Sequence, residues 1–155
     1  MPQPARAAAG VLFLDDEGRV LMVVPSYKDA LEIPGGGVEP GETPYAAARR
    51  EVREEIGIAP PVGRLLVAGW WSDSPDGVGG PKILFVFDGG RLADDHRDRI
   101  VVDGAEIVGW GFRPVPELAA LTVARLANRI AHAVAARHDG TTRYLEDGHW
   151  MTGGV

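Results

Sequence analysis

The chain has no cysteine. That excludes disulfides, zinc–thiolate sites and thiol nucleophiles, and it accords with a reducing cytoplasm. No apolar run approaches the roughly 18 residues of a membrane helix, and residues 1–10 lack the apolar core of a signal peptide. A soluble, cytoplasmic protein with no membrane partner is expected. Positive charge is scarce: 16 Lys and Arg stand against 22 Asp and Glu, a formal net charge of −6. No broad cationic surface is available for a nucleic-acid duplex. An anionic ligand would need local help, from a metal or from a few placed Arg and Lys. Internal repeats and long linkers are also missing. What remains is ordinary globular usage: 155 residues, 45% hydrophobic and 25% charged. These numbers suit one domain over 1–155, with 139–155 as a C-terminal tail.

Along the chain, residues 7–14 are small and apolar, 15–18 form an acidic Gly-containing turn, and 20–24 are apolar again, which predicts a hairpin. Residues 31–33 lead into Pro34-Gly35-Gly36-Gly37, where a tight bend is expected. Strands are predicted over 65–71, 83–87 and 106–112, with a Ser-, Asp-, Pro- and Gly-rich loop over 72–80. A first helix is predicted over 44–56, with Thr43 as N-cap, Pro44 at the first position and Gly57 just past the end. A second is predicted over 116–138, with Leu118, Leu121, Ala124, Ile130 and Val134 as an apolar stripe. The tail contains Tyr144 and Trp150 and is expected to pack back on the body.

The first helix carries a dense acidic cluster. At about 100° per residue, Glu54 and Glu55 fall near −60° and +40° from Glu51, so three carboxylates share an arc of about 100°. Tyr45, Ala48, Val52 and Ile56 form an adjacent stripe suited to a core. Two readings follow: a solvated acidic face countered by Arg49, Arg50 and Arg53, or a divalent-metal site that relieves the mutual repulsion. The segment before the helix favours the second. Its glycines let backbone approach a ligand unobstructed. A phosphate-cradling loop ordinarily leads to Lys or Ser at a helix start, whereas this one leads to carboxylates, so a metal must mediate.

The same segment resembles the Nudix box. Gly36, then Glu42 after five residues, then after seven more Arg50-Glu51-Val52-Arg53-Glu54-Glu55-Ile56-Gly57-Ile58, agree at every specified position. Seven fixed residues at about 7% usage each would match by chance on the order of once in a million chains of this length. The resemblance implies an α/β (α+β) fold, an α/β/α sandwich around a mixed sheet. It implies a hydrolase that cleaves the phosphoanhydride of a nucleoside diphosphate linked to another group, such as a nucleoside triphosphate, nucleotide sugar or dinucleotide. It implies Mg2+, with Mn2+ as a substitute, held by Glu51, Glu54, Glu55 and the Gly35 carbonyl. Arg50 would orient a neighbouring glutamate, and Glu42 would be structural or an outer-sphere ligand. A homodimer is compatible with the resemblance.

The general base varies in the family, so box glutamates and the later Glu106, Asp103 and Asp95 all stand as candidates; Glu106 opens a strand similar to the one that precedes the family's final helix. Trp70, Trp71, Tyr27, Phe85 and Phe87 are candidate stacking residues, and Lys28 and Lys82 candidate phosphate contacts. Trp70 and Trp71 must point to opposite faces of a strand, so one of them faces out. His132 and His138 are expected to be solvent or packing residues. Leu31-Glu32-Ile33 departs from the family, where an aromatic residue often precedes the Pro-Gly-Gly, so no base-recognition mode is transferred. Two further readings are a nucleotide-sensing module that does not cleave, disfavoured by the intact box, and an isopentenyl diphosphate isomerase, disfavoured by the missing cysteine.

Overall fold

The computed structural model describes residues 1–73 and 79–152. Strand β1 (Arg6–Leu14) turns into β2 (Val20–Pro25) through the acidic turn, with Leu14 paired to Val20. A short β3 (Gly35–Gly37) is followed by helix α1 (Pro44–Ile56), then β4 (Leu65–Trp71) and β5 (Lys82–Arg91). The short helix α2 (Asp94–Arg97), β6 (Ile107–Arg113), a 3-10 turn at Val115–Glu117, α3 (Leu118–Leu121) and α4 (Ala124–Asp139) come next. Strands β7 (Arg143–Glu146) and β8 (His149–Trp150) close the described chain.

All the strands join one mixed sheet in the order β6-β2-β1-β5-β4-β7-β8, with β3 paired to β1. β1 runs parallel to β5 and β4 parallel to β7; the other pairs are antiparallel. Alternation along the strands sends side chains to two faces. Leu12, Leu14, Val20 and Met22 pack with Leu126, Ile130 and Ala133 of α4. Val11, Phe13, Leu21 and Val23 pack with Ala47, Ala48, Val52 and Ile56 of α1. Helices on both faces of a mixed sheet give the expected α/β/α sandwich.

α1 spans the predicted residues. Thr43 Oγ1 accepts from the Ala46 N–H at 3.1 Å, and Gly57 takes φ 71° at the end. Tyr45 departs from the predicted stripe: it lies 39% exposed, edge-on to Phe87, because Ala47 and Ala48 already fill the contact with the sheet.

Two expectations are corrected. The glycine run is a strand rather than a bend. A Cβ at Gly35 would lie 2.5 Å from the Ala9 carbonyl oxygen, so the missing side chains serve close approach to β1. The second helix is two. At the break Thr122 is extended, its hydroxyl donates to the Leu31 carbonyl at 2.7 Å, and the Leu31 N–H donates to Leu121 at 3.0 Å. Ala124 is consequently exposed at the start of α4, and Leu126, Ala127, Ala133 and Ala136 carry the buried stripe. Finally, the predicted loop over 72–80 lies for residues 74–78 outside the described residues, as do 153–155 of the tail. The rest of the tail packs back as expected, as β7 and β8.

Candidate active site

The first half of β1 is Ala7-Ala8-Ala9-Gly10 and the second half is Val11 to Leu14. Large side chains fill the core under the second half. Small ones leave room over the first, and there a cleft of about 750 Å3 opens. Its walls bring together the glycine strand, Glu55 of α1, the end of β2 with Tyr27 and Lys28, and Trp71 and Lys82 across the sheet.

Arg50 organises the acidic side. Its guanidinium donates to both Glu42 oxygens at 2.8 and 3.0 Å, to Glu51 Oε1 at 2.9 Å, to Glu54 Oε2 at 3.1 Å and to the Gly37 carbonyl at 2.9 Å. Glu42 also accepts from the Glu39 N–H at 3.0 Å. A planar fork with five donors can hold these positions at once; an ammonium cannot. The Arg50 contacts hold the Glu42 carboxyl below its usual range and raise the guanidinium. Arg50 is thus paired with the neighbouring Glu51 and Glu54, and through Arg50 the Glu42 carboxylate joins the loop to the helix.

The three glutamates differ in setting. Glu54 is 59% exposed and the Glu51 side chain 14%. Glu55 is 7% exposed, and its Oε2 is buried with no hydrogen-bond partner. Burial, and then the charge of Glu51 beside it, push the Glu55 carboxyl up to about 9, against a backbone hydrogen bond from Gly35. Gly36 lies against Glu51: a Cβ there would sit 2.4 Å from Glu51 Oε1. Among the described residues, no three acidic or histidine side chains already enclose one point as a finished metal cage. Arg50 draws Glu51 and Glu54 to itself. The donor set nevertheless fits a divalent cation: hard oxygens only, two carboxylates in mutual repulsion, and an orphaned buried oxygen that a cation would satisfy.

Of the other candidate bases, Asp95 pairs with exposed Arg99 at 3.5 Å. Asp103 accepts from the Ala105 and Ile107 N–H groups, each at 3.0 Å, and shapes a turn. The Glu106 side chain is exposed and does not line the cleft; its carbonyl accepts from Ser26 at 2.8 Å. Of the aromatic candidates, Tyr27, Trp71 and Phe85 line the cleft, whereas Trp70 and Phe87 do not. The opposition of Trp70 and Trp71 is as the strand geometry required. Trp71 is not open for stacking, because guanidinium carbons of Arg125 and Arg129 lie 4.6 and 4.7 Å from its ring centroid. Lys28 and Lys82 both line the cleft, and Lys28 Nζ is 2.5 Å from Glu32 Oε1. His132 packs beside Arg143 and Trp150, and His138 is exposed.

The sequence reading missed Arg129. The signal was present: taking Leu126 as zero, Arg129 falls at about −60°, between Ala133 at about −20° and Ala136 at about −80°, inside the buried arc of α4. Glu32, noted only as a departure from the family, holds Lys28 and exchanges backbone hydrogen bonds with Val23 at 2.7 and 3.1 Å.

A family model described as NUDIX domain matches residues 4–135. The chain is similar to an RNA pyrophosphohydrolase of Hydrogenovibrio crunogenus, 29% identical over 121 residues, covering 69% of this chain and 72% of that protein. It is also similar to an RNA pyrophosphohydrolase of Halorhodospira halophila, 46% identical over 55 residues, which span 36% of this chain but 30% of that protein. A third relative is diphosphoinositol polyphosphate phosphohydrolase 2 of Rattus norvegicus, 50% identical over 62 residues, 39% of this chain and 35% of that protein. Among solved structures, a MutT protein from Methanosarcina mazei superposes with a TM-score of 0.71 at 19% identity, covering 88% of this chain and 98% of that one. At that identity the likeness speaks for the fold.

Proposed function

The chain belongs to the NUDIX domain family, and from that membership we propose that it is a divalent-metal-dependent pyrophosphohydrolase acting on a small nucleotide-like diphosphate. The observation that carries this reading is the buried, hydrogen-bond-free Glu55 Oε2 beside Glu51, at the wall of an open cleft. Arg50 pairs with Glu51 but leaves the buried Glu55 carboxyl beside it without a counter-ion, and Mg2+ or Mn2+ is the oxygen-seeking ion that would offset that cost. Glu51, Glu54, Glu55 and the Gly35 carbonyl would hold it. When bound, the metal neutralises phosphate charge and makes a water acidic enough to attack.

The residues of the chain supply the rest. Arg50 fixes the orientation of Glu51 and Glu54, and Glu42 fixes Arg50. Gly36 leaves room for the Glu51 carboxylate, and Gly35 lets the glycine strand lie close against β1 beside it. The proton of the attacking water passes to a carboxylate oxygen of the Glu51–Glu55 pair, since Asp95, Asp103 and Glu106 are engaged or face elsewhere. Lys28 and Lys82 lie along the cleft, where they attract the anionic substrate. Similarity to an RNA pyrophosphohydrolase and to a diphosphoinositol polyphosphate phosphohydrolase, both hydrolases of phosphorylated substrates, supports the same type of reaction here. The test is a panel of nucleoside triphosphates, nucleotide sugars, dinucleoside polyphosphates and inositol pyrophosphates, assayed with magnesium and with products identified by mass. Cleavage between two phosphorus atoms is expected; no turnover across the panel with either Mg2+ or Mn2+ contradicts the reading.

A further inference from the structure

Arg129 has no part in the chemistry above, and its placement is costly. It is 8% exposed, on the inner face of α4, and lines the cleft. Its guanidinium rests on Trp71, and burial pulls its pKa down to about 10. It makes no hydrogen bond or ion pair among the described residues. The nearest attraction comes from Glu32, whose carboxylate is bonded to Lys28. Arg125, one turn earlier on the same ring, contrasts with it: Arg125 reaches Asp147 and the Asp73 carbonyl, each at 3.4 Å. One guanidinium is satisfied by the protein and the other is presented to the cleft. A buried charge without a counter-ion persists where a ligand completes it.

We propose that Arg129, held on Trp71, is the specificity-determining contact for a further phosphate group of the substrate, one carried beyond the diphosphate that is cleaved. The proposal rests on the hydrolase reading above. Two features favour phosphate over a stacked base: the Trp71 ring is already engaged by two guanidiniums, and the free fork of Arg129 matches an oxyanion through paired donors. Lys28 and Lys82 add positive charge along the same cleft without supplying that geometry. The cleft therefore has a carboxylate side for the metal and the scissile bond and a cationic side for a remote phosphate. Substrates with an additional phosphate are selected over those whose far end is neutral.

The binding test is calorimetry with inorganic phosphate, at fixed ionic strength in EDTA, where the α1 carboxylates repel anions and cannot account for uptake. The parent is expected to bind. Arg129→Met should weaken binding by about 10- to 100-fold, the weight of a hydrogen-bonded charge pair, and Glu55→Gln should not weaken it. Without ligand, Arg129→Met should melt at or above the parent temperature, because a buried unpaired charge is replaced by an apolar chain of similar length. Arg129→Lys keeps the charge but loses the fork and should still weaken binding at least threefold, which keeps the test decisive should Arg129→Met misfold. Unchanged phosphate affinity in Arg129→Lys or Arg129→Met overturns the proposal. The activity test compares two substrates that share the scissile diphosphate and differ by one remote phosphate. Arg129→Met should lower kcat/KM at least tenfold for the phosphorylated one and less than twofold for the other; equal losses overturn the proposal. If the parent hydrolyses neither, the hydrolase reading fails while the phosphate titration still decides the role of Arg129.

Discussion

At the residue scale the site turns on how one arginine and one buried carboxyl are placed. Arg50 bridges Glu42, Glu51, Glu54 and the Gly37 carbonyl. Lysine has no fork to reproduce that set, so Arg50→Lys should reduce metal affinity or kcat by about 10- to 100-fold, the usual effect of losing an orienting partner behind a metal ligand; a magnesium titration of activity checks it. Glu55 gives a pH signature. Its carboxyl is raised to about 9 in the folded chain, from an ordinary value of 4.5. Between those values the folded state binds more protons than the unfolded state, so metal-free stability falls as pH rises through that window. Glu42 acts with the opposite sign but only on the acid side, since its pKa is lowered. Thermal melts in EDTA should therefore show Tm falling from pH 6 to pH 9, and Glu55→Gln should flatten the slope. A parent Tm that is flat across this range contradicts the burial assigned to Glu55.

At the scale of elements, the sequence was most legible where local chemistry decides structure. α1 is bounded by Thr43, Pro44 and Gly57, and each does what its residue type dictates. Thr43→Ala should cost about 1 kcal/mol of stability, the usual weight of an N-cap, and leave the slope of denaturation unchanged. Legibility failed where distant partners decide. The glycine run looked like a bend because nothing local marks it as the partner of β1. Gly35→Ala would put a Cβ 2.5 Å from the Ala9 oxygen. It should destabilise by about 1–3 kcal/mol, as overpacking does, measured by urea unfolding. Gly36→Ala instead meets the Glu51 carboxylate and should lower activity more than stability. The break at Thr122 was equally hidden, since its bond to the Leu31 carbonyl joins residues 91 positions apart.

At the scale of the whole molecule, two helices on opposite faces of one sheet leave a cleft where β1 has only small side chains. The box segment announced the acidic side of that cleft because its residues are contiguous and their types are dictated by the chemistry. The far side was not announced. Trp71 of β4, Arg129 of α4 and the Lys28–Glu32 pair between β2 and β3 meet only in the fold, and an arginine on the inner face of α4 looks like noise until the cleft is seen. Sequence thus pointed to the acidic side of the cleft, and the packed sheet brought together the residues on its far side.

The account stands or falls on whether the α1 carboxylates run a metal-dependent hydrolysis. The most direct measurement is turnover of one cleaved substrate by the parent and by Glu54→Gln, titrated side by side with magnesium. Glu54 is 59% exposed, so the substitution should leave the melting temperature within a few degrees. The account predicts that the parent is inactive in EDTA, is restored by Mg2+ or Mn2+, and that Glu54→Gln loses at least about tenfold in kcat. Hydrolysis by Glu54→Gln as fast as the parent, or full parent activity in EDTA, would contradict it.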